Sequence, residues 1–509
     1  MAEARHRGSG GEARAAPSLL TTRGPNRRAA NEACELGTRP RTLNVAMFSI
    51  EGAAQDSPDR VALVTATGVL TYAEMAARAR RVAAHLQAFA GKPVALVPTL
   101  RPETIVAMYA LLELGSPMVL LHPRLTSDDH ARLVAEVDAA AVLDATWSDA
   151  DLPEPTTRAV VRAHDPELAM AIVFTSGSSG APKGVVLSRR AFAAAAEASA
   201  ANIGWQADDQ WLLCMPLAHV GGLSVVVRCL AARIPVVLSA WTGSAEALID
   251  DVARHRATIL SLVPTMLKRI LQDGPPRPFG DHVRAVFLGG DAARPALLEE
   301  SAQRRVPVLT TYGLTEACSQ VATQRYGTTA AVDGFIGPPL PGVEIRIVGG
   351  EVQVRGKILL TGYFPTDRSP SPFAEGGWFP TGDEGEIDGE GALRIRGRRS
   401  DVIITGGENV DPTEVERVLA ACAGVREVCV FGVDDERWGQ IVAAAIVPCD
   451  PASPPPLSVV VLHVRERLAA HKQPRVAGFC EAIALSASGK IDRRATAALV
   501  GPSLVALAR

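Results

Sequence analysis

The sequence predicts an α/β protein with a large N-terminal domain of layered sheets and helices and a small, mobile α+β C-terminal domain. From about residue 44 to residue 396, short Val-, Ile- and Leu-rich segments alternate with Ala-rich helical segments. This alternation is typical of largely parallel sheets covered by helices. After residue 397 the pattern changes to mixed strands and helices, interrupted by a proline-rich connector at 450–458. We therefore expect domains over 45–399 and 400–509.

The individual elements follow from runs and spacings of apolar residues. In the N-terminal part, each expected helix lies between two short apolar runs of strand length. In the C-terminal part, two longer apolar runs are flanked by amphipathic segments. The expected strands are 93–97, 117–121, 167–174, 234–239, 258–264, 426–433 and 440–448, and the expected helices are 103–115, 189–202, 244–255, 412–424 and 458–471.

Composition excludes several classes of function. The 509 residues carry a net charge of −3, whereas a protein that binds nucleic acid electrostatically usually has a basic excess. The eight cysteines are scattered without a metal-binding spacing, which predicts reduced thiols in a cytoplasmic protein. No apolar run reaches the ~20 residues that a membrane span needs, so none is expected. Residues 1–44 lack hydrophobic periodicity and predict a disordered extension or a start codon placed too early.

The segment VFTSGSSGAPKGVVLS at 173–188 raises the first functional question. A strand is expected before it, and Ser188 is placed to N-cap a helix that ends at Gly204. We therefore expect a strand-to-helix loop whose backbone N–H groups, hydroxyls and Lys183 suit a polyphosphate. The loop departs from the G-x-x-x-x-G-K-[ST] pattern because Gly184 follows the lysine. Taken alone, it fits a phosphate cradle and a mobile Gly/Ser loop equally well.

Four further segments place polar residues at glycine-rich turns: TYGLTEACSQ (311–320), TGDEGEIDGEG (381–391), GRRSDVIITGGENVDPTEVE (397–416) and SASGKIDRR (486–494). Each one alone is typical of an ordinary turn. Together with the loop at 173–188, and in this order, they resemble the motif set of the adenylate-forming superfamily, which includes acyl- and aryl-CoA ligases, luciferases and peptide-synthetase adenylation domains. The resemblance runs from about residue 45 to the C-terminus, and it favours the phosphate cradle.

Three segments resemble one group within that superfamily, the o-succinylbenzoate–CoA ligases of menaquinone biosynthesis. They are MPLAHVGGLS (215–224), YGLTEACSQVAT (312–323) and GRRSDVIITGGENV (397–410). The alternative is a benzoate-type or fatty acyl-CoA ligase that acts on another carboxylic acid. A peptide-synthetase adenylation domain fits less well because no carrier domain is visible in the sequence. A nucleotide-binding regulator without activity also fits less well, because Glu316 and Lys490 are both present.

The resemblance implies a two-step reaction that uses ATP, Mg²⁺ and coenzyme A. A substrate carboxylate attacks the α-phosphate of ATP, which gives an acyl-adenylate and pyrophosphate, and the CoA thiol then displaces AMP to form a thioester. Catalysis of such a reaction is mainly positioning and charge neutralisation. The implied partners are small molecules, namely a carboxylic acid, ATP and CoA. The sequence does not show the oligomeric state; a homo-oligomer is one possibility, since dimers and tetramers are common among relatives.

The resemblance also assigns residues to the nucleotide. Glu316 would bind Mg²⁺, because a hard cation prefers oxygen ligands, and Thr315 would donate to the α-phosphate. Asp383 would accept both ribose hydroxyls, with Arg398 in support. The residues expected around the β- and γ-phosphates are Thr175, Ser176, Gly177, Ser178, Ser179, Gly180 and Lys183, and those expected around adenine are Gly289, Gly290, Tyr312 and Gly313. Asp291 stands where relatives often have a small residue.

Lys490 is expected to be the catalytic residue of adenylation, since a mobile ammonium near the α-phosphate stabilises the charge of the transition state. Ser400 occupies the position of the hinge in relatives, about which the small domain would rotate. Asp401, next to it, is expected to bond nearby backbone. The other interpretation of Lys490 is a solvated surface lysine, which the scarcity of lysine in this chain argues against.

His219 and Arg228 are the main candidates for contact with the acid substrate. His219 is either structural or the residue that gates the acyl site, and Ala218 stands where many relatives have an aromatic residue. Arg228 is a single charge in an apolar helix, so it needs a carboxylate partner or must reach solvent. It either forms a salt bridge within the protein or binds the second carboxylate of o-succinylbenzoate. Ser319 and Gln320 could add polar contacts.

Overall fold

The computed structural model describes residues 45–150, 152–154, 165–176, 182–239, 241, 243–367, 369–406, 408–485 and 491–507. All of them belong to one compact unit, Leu43–Arg509. The α-helices are α1 (Ile50–Asp56), α2 (Tyr72–His85), α3 (Pro102–Leu114), α4 (Ser127–Glu136), α5 (Arg189–Ile203), α6 (Val220–Ala232), α7 (Ala245–His255), α8 (Pro264–Asp273), α9 (Pro295–Gln303), α10 (Pro412–Ala420), α11 (Leu457–Arg465) and α12 (Arg493–Val500).

The strands are short in the N-terminal part and longer after residue 420. They are β1 (Val61–Thr65), β2 (Gly68–Thr71), β3 (Val94–Leu96), β4 (Met118–Leu120), β5 (Ala141–Leu143), β6 (Ala169–Ser176), β7 (Pro182–Ser188), β8 (Trp211–Leu213), β9 (Val236–Leu238), β10 (Ile259–Leu262), β11 (Ala285–Leu288), β12 (Val308–Leu314), β13 (Ser319–Thr323), β14 (Val343–Val348), β15 (Glu351–Gly356), β16 (Gly362–Tyr363), β17 (Phe379–Ile387), β18 (Leu393–Arg398), β19 (Ile403–Thr405), β20 (Glu408–Val410), β21 (Val425–Asp435), β22 (Gly439–Pro448), β23 (Val476–Phe479) and β24 (Val505–Ala506).

Two largely parallel sheets form the N-terminal part. One has the strand order β13-β12-β11-β10-β8-β9-β1-β2, and the other has the order β16-β7-β6-β4-β3-β5. A large core of buried side chains, from Phe48 to Leu393, joins their faces to the surrounding helices. A four-stranded antiparallel sheet, β14-β15-β17-β18, follows. In parallel sheets, ligands bind at the carboxyl ends of the strands, and the candidate residues after β6, β8, β11 and β12 lie at such ends.

The glycine-rich segment joins two strands, so the expected strand-to-helix loop is wrong. Residues 182–188 form β7, which pairs antiparallel with β6 from Ala169↔Ser188 to Ser176↔Pro182. The reason is the buried run from Gly184 to Ser188, which fills an interior strand position before α5 begins. Ser188 nevertheless caps α5 as expected, since its side chain accepts a hydrogen bond from the N–H of Ala191 and Gly204 ends the helix.

The C-terminal part has a sheet and cores of its own. Strands β20, β19, β22, β23 and β24 form its sheet, and β21 pairs along β22. Its buried apolar residues form two clusters that contain no residue before Ile403. The helix expected over 458–471 ends earlier, at Arg465. The α/β class with a small α+β part is confirmed, and the boundary at residue 400 stays a prediction. In the part of the chain that the structure describes, no helix is long and apolar enough to cross a bilayer.

Candidate active site

The expected phosphate loop starts at the carboxyl end of β6 and ends at the start of β7. Thr175 and Lys183 are direct partners across this hairpin. Lys183 is exposed, and its Nζ lies 5.5 Å from the centroid of the Tyr363 ring. The predicted phosphate ligands Gly177, Ser178, Ser179 and Gly180 lie outside the described residues. The described ends of the loop therefore place one cation beside an aromatic ring.

Glu316 lies in a single 3₁₀ turn, Thr315–Ala317, directly after β12. Its carbonyl accepts a hydrogen bond of 2.7 Å from the N–H of Leu360. Its carboxylate Oε1 accepts a bond of 3.0 Å from the hydroxyl of Tyr363. Burial and the neighbouring Glu316 charge raise the pKa of Tyr363 above its ordinary value. Sequence reasoning missed Tyr363, because the motif segments that it used end before and begin after this residue.

The donor set around Glu316 fits a magnesium ion that is held jointly with phosphates. Among the described residues, Oε2 of Glu316 accepts no hydrogen bond, which leaves a free oxygen of the type that Mg²⁺ prefers. The same residues contain no group of three or more His, Cys, Asp or Glu that could hold a metal alone. Mg²⁺ is commonly bound by one or two carboxylates together with substrate phosphates and water. The carboxylate of Glu316 fits that arrangement.

Tyr312, Asp383 and Arg398 come together as one network. The hydroxyl of Tyr312 donates to Asp383 Oδ2 at 2.6 Å, and Nε of Arg398 lies 3.0 Å from Asp383 Oδ1. Asp383 and Arg398 are also register partners on β17 and β18. Burial, followed by the Asp383 charge, raises the pKa of Tyr312 well above its ordinary value, so the phenol stays a donor. Tyr312 and Arg398 thus hold both carboxylate oxygens of Asp383 in place. These oxygens could accept hydrogen bonds from the two hydroxyls of a ribose without rearrangement.

The glycines expected around adenine allow close backbone approach. A Cβ on Gly289 would lie 2.7 Å from the Thr311 side chain, and Gly290 has a φ of +85°. A Cβ on Gly313 would lie 1.6 Å from the carbonyl oxygen of Ser319. Asp291 is exposed, and its Oδ1 accepts a bond from the N–H of Ala292. The first three positions therefore require glycine, and Asp291 lies away from the buried wall.

His219 is the N-cap residue of α6, at the carboxyl side of β8. Its ring lies 5.0 Å, centroid to centroid, from the ring of His122, which follows β4 of the other sheet. Burial, followed by the charges of Arg124 and His130, lowers the pKa of His122. The segments that follow β4 and β8 thus meet at a pair of histidines. Ala218, beside His219, is buried.

Arg228 lies in the interior of α6 with a side chain that is 4% exposed. Burial lowers the pKa of its guanidinium to about 10. Its Nη2 has no hydrogen-bond partner among the described residues, and its Cζ lies 6.0 Å from the centroid of the Trp211 ring. The salt bridge that the sequence left open has no counterpart in the described part of the chain. A buried guanidinium without an anion is costly.

The strand that follows Glu316 lies against the helix of Arg228. The hydroxyl of Ser224 on α6 donates to the carbonyl of Cys318 at 3.2 Å. Ser319 has a φ of +95°, which is a left-handed conformation for a residue other than glycine. Gln320 is 4% exposed, and among the described residues its Oε1 has no hydrogen-bond partner. Cationic Arg228 and the acceptor of Gln320 are thus two unsatisfied groups on adjoining elements.

Residue 400 lies in a short 3₁₀ turn, Arg399–Asp401. Arg399 lies 3.5 Å from Glu351 and 3.9 Å from Glu384, which both precede the turn. Asp401 lies 3.4 Å from Nε of Arg493, which follows the turn. The expectation for Asp401 named only backbone, and the structure adds this ion pair. Lys490 lies outside the described residues.

Comparisons with known proteins agree with this fold. The family model described as AMP-binding enzyme matches residues 50–365, and that described as AMP-binding enzyme C-terminal domain matches residues 414–490. A 2-succinylbenzoate–CoA ligase of Bacillus licheniformis is 33% identical to this chain over 472 residues, which cover 86% of this chain and 97% of that protein.

Two solved structures of the o-succinylbenzoate CoA synthetase of Bacillus subtilis are similar to this chain at 30% identity. The complex with the acyl-adenylate intermediate has a TM-score of 0.80 and covers 87% of this chain and 96% of its own. The complex with ATP and magnesium ion has a TM-score of 0.77 and covers 87% and 98%. Fold and site therefore define a nucleotide-binding α/β enzyme with a small C-terminal part. The chain belongs to the AMP-binding enzyme family.

Proposed function

We propose that this chain is an ATP-dependent acid–thiol ligase that converts o-succinylbenzoate to its CoA thioester, a step of menaquinone biosynthesis. The observation that carries the proposal is the 33% identity to a 2-succinylbenzoate–CoA ligase over nearly the whole of that protein. ATP, Mg²⁺ and CoA are its co-substrates and cofactor. When bound, Mg²⁺ would neutralise phosphate charge next to Glu316.

The nucleotide would occupy the carboxyl ends of the strands. We assign its ribose to Asp383, because the carboxylate is held by Tyr312 at 2.6 Å and by Arg398 at 3.0 Å. A preorganised acceptor of this kind needs no reorganisation when the substrate binds. Thr315 and Lys183 would contact the phosphates. The ammonium of Lys490 would stabilise the charge that develops as the carboxylate attacks.

The buried charge on α6 supports an acid with a second carboxylate. Arg228 is 4% exposed and has an Nη2 without a hydrogen-bond partner among the described residues. A substrate carboxylate would supply the missing anion, and Gln320 would accept from a bound water or a donor next to it. A fatty acid would place a hydrocarbon chain against this guanidinium and leave its charge unpaired. Arg228 therefore favours o-succinylbenzoate over the fatty acyl alternative.

Pyrophosphate release from the purified enzyme tests the proposal. We expect release with ATP, Mg²⁺ and o-succinylbenzoate, and AMP together with a thioester only when CoA is added. Benzoate, octanoate and malonate serve as competing acids, and kcat/KM for each is compared with that for o-succinylbenzoate. A higher kcat/KM for benzoate or octanoate would contradict the assignment of the acid. Absence of pyrophosphate release with every acid would contradict the ligase itself.

A further inference from the structure

Tyr363 lies where the phosphate loop and the carboxylate turn meet. It is the second residue of β16, and it pairs with Val185 on β7, two residues after Lys183. The N–H of Phe364 donates to the carbonyl of Gly184 at 2.7 Å, which fixes the backbone on its other side. The backbone of this tyrosine is thus tied to the strand that ends the phosphate loop.

The side chain of Tyr363 contacts two residues of the proposed nucleotide site. Its hydroxyl donates to Glu316 Oε1 at 3.0 Å. Its ring lies beneath the ammonium of Lys183, 5.5 Å from Nζ to the centroid. An ammonium within about 6 Å of an aromatic face is attracted to the ring. One half-buried side chain therefore links the carboxylate and the cation that the resemblance assigns to magnesium and phosphate.

The hydrogen bond from Tyr363 holds one oxygen of the Glu316 carboxylate, Oε1. The other oxygen, Oε2, is the one that could bind a metal ion. Among the described residues, Tyr363 is the hydrogen-bond donor to Oε1, and Oε2 accepts from none. The backbone of Glu316 is held separately, by the bond from Leu360 N–H to its carbonyl. Hydrogen bonds to a ligating carboxylate commonly set the orientation of a metal ligand, and their loss costs about 10–100-fold in metal affinity.

We propose that Tyr363 is a positioning residue of the nucleotide site: its hydroxyl orients Glu316 so that Oε2 faces the magnesium ion, and its ring holds Lys183 near the phosphates. The inference rests on the proposed function for the presence of the nucleotide. It is separate from the identity of the acid, because the contacts of Tyr363 all lie on the phosphate side.

The first experiment measures Mn²⁺ binding by electron paramagnetic resonance in the presence of a non-hydrolysable ATP analogue and no acid. We expect Tyr363→Phe to weaken Mn²⁺ affinity about tenfold, with a circular dichroism spectrum like that of the wild type. Affinity for the analogue in EDTA should change less than twofold. Tyr363→Leu, which also removes the ring, should in addition weaken binding of the analogue in EDTA. Unchanged Mn²⁺ affinity in Tyr363→Phe would overturn the proposal.

A matched control separates this effect from the general loss of a tyrosine hydroxyl. Tyr326 also has a cation over its ring, with Arg284 at 5.0 Å, and it lies outside the proposed site. Tyr326→Phe should leave Mn²⁺ affinity unchanged, and an equal loss there would contradict a specific role for Tyr363.

A double-mutant cycle gives an independent check. In a Glu316→Gln background, Tyr363→Phe should cause no further loss of Mn²⁺ affinity, because the carboxylate that it orients is gone. A further tenfold loss would overturn the proposal. The assay contains no acid, so failure of the o-succinylbenzoate assignment leaves its outcome interpretable.

Discussion

Several side chains of the candidate site can be predicted from the sequence, but their contacts with each other cannot. Tyr312 and Asp383 were both expected at the nucleotide from their motifs, yet only the fold shows them 2.6 Å apart. They are separated by 71 residues, so no local spacing predicts the contact. Tyr363 lies outside the motif segments, and its partners Glu316 and Lys183 lie on other elements, so no local spacing indicates it either. Motifs identify residue types, and tertiary structure decides which of them touch.

Replacement of Arg228 should change both stability and substrate binding. Replacement of a buried, unpaired charge by an apolar group of similar length removes a desolvation cost. Arg228→Met should leave the free energy of unfolding unchanged or raise it by up to about 3 kcal/mol. It should also raise KM for o-succinylbenzoate about 100-fold, with KM for benzoate changed far less. Urea unfolding and initial rates measure both effects, and equal increases of the two KM values would contradict substrate recognition by Arg228.

Whole elements were predicted well where the apolar spacing was regular. The ends of β3, α3 and β4 lie within two residues of the expected ends. The same holds for β9, α7 and β10. The Ser188 cap was also correct. The hairpin of β6 and β7 was not expected, because its glycine-rich segment was interpreted as an entry into a helix. The strand partner of β7 is set by a pairing register that a single sequence does not reveal.

The hairpin of β12 and β13 should depend on the absence of a side chain at Gly313. A Cβ on Gly313 would lie 1.6 Å from the Ser319 carbonyl oxygen, so Gly313→Ala must move backbone between Tyr312 and Glu316. We expect a loss of unfolding free energy of about 3 kcal/mol and weaker binding of ATP. Gly389→Ala is the control, since nothing lies within 4 Å of the added methyl group. Equal stability of the two variants, measured by urea titration, would show that the hairpin tolerates a side chain.

In the whole enzyme, replacement of Lys490 should impair the adenylation half-reaction and spare the thioester-forming half-reaction. If its ammonium serves only adenylation, Lys490→Ala should lower the rate of pyrophosphate release by about 10²–10³. Thioester formation from supplied acyl-adenylate and CoA should persist near the wild-type rate. The exposed Lys92 provides the control, and Lys92→Ala should leave both half-reactions unchanged. Normal rates of both steps in Lys490→Ala would show that another residue supplies the charge.

The ion pairs around residue 400 have an energetic consequence. Arg399 pairs with groups that precede it, and Asp401 pairs with Arg493 that follows it, so turning the backbone torsions of residue 400 breaks neither set. One pair that does bridge the turn, Lys268 with Glu427 at 3.6 Å, is well exposed. Pairs of that kind contribute at most about 1 kcal/mol. In the described part of the chain, the ion pair that bridges residue 400 would therefore oppose a rotation about this residue only weakly.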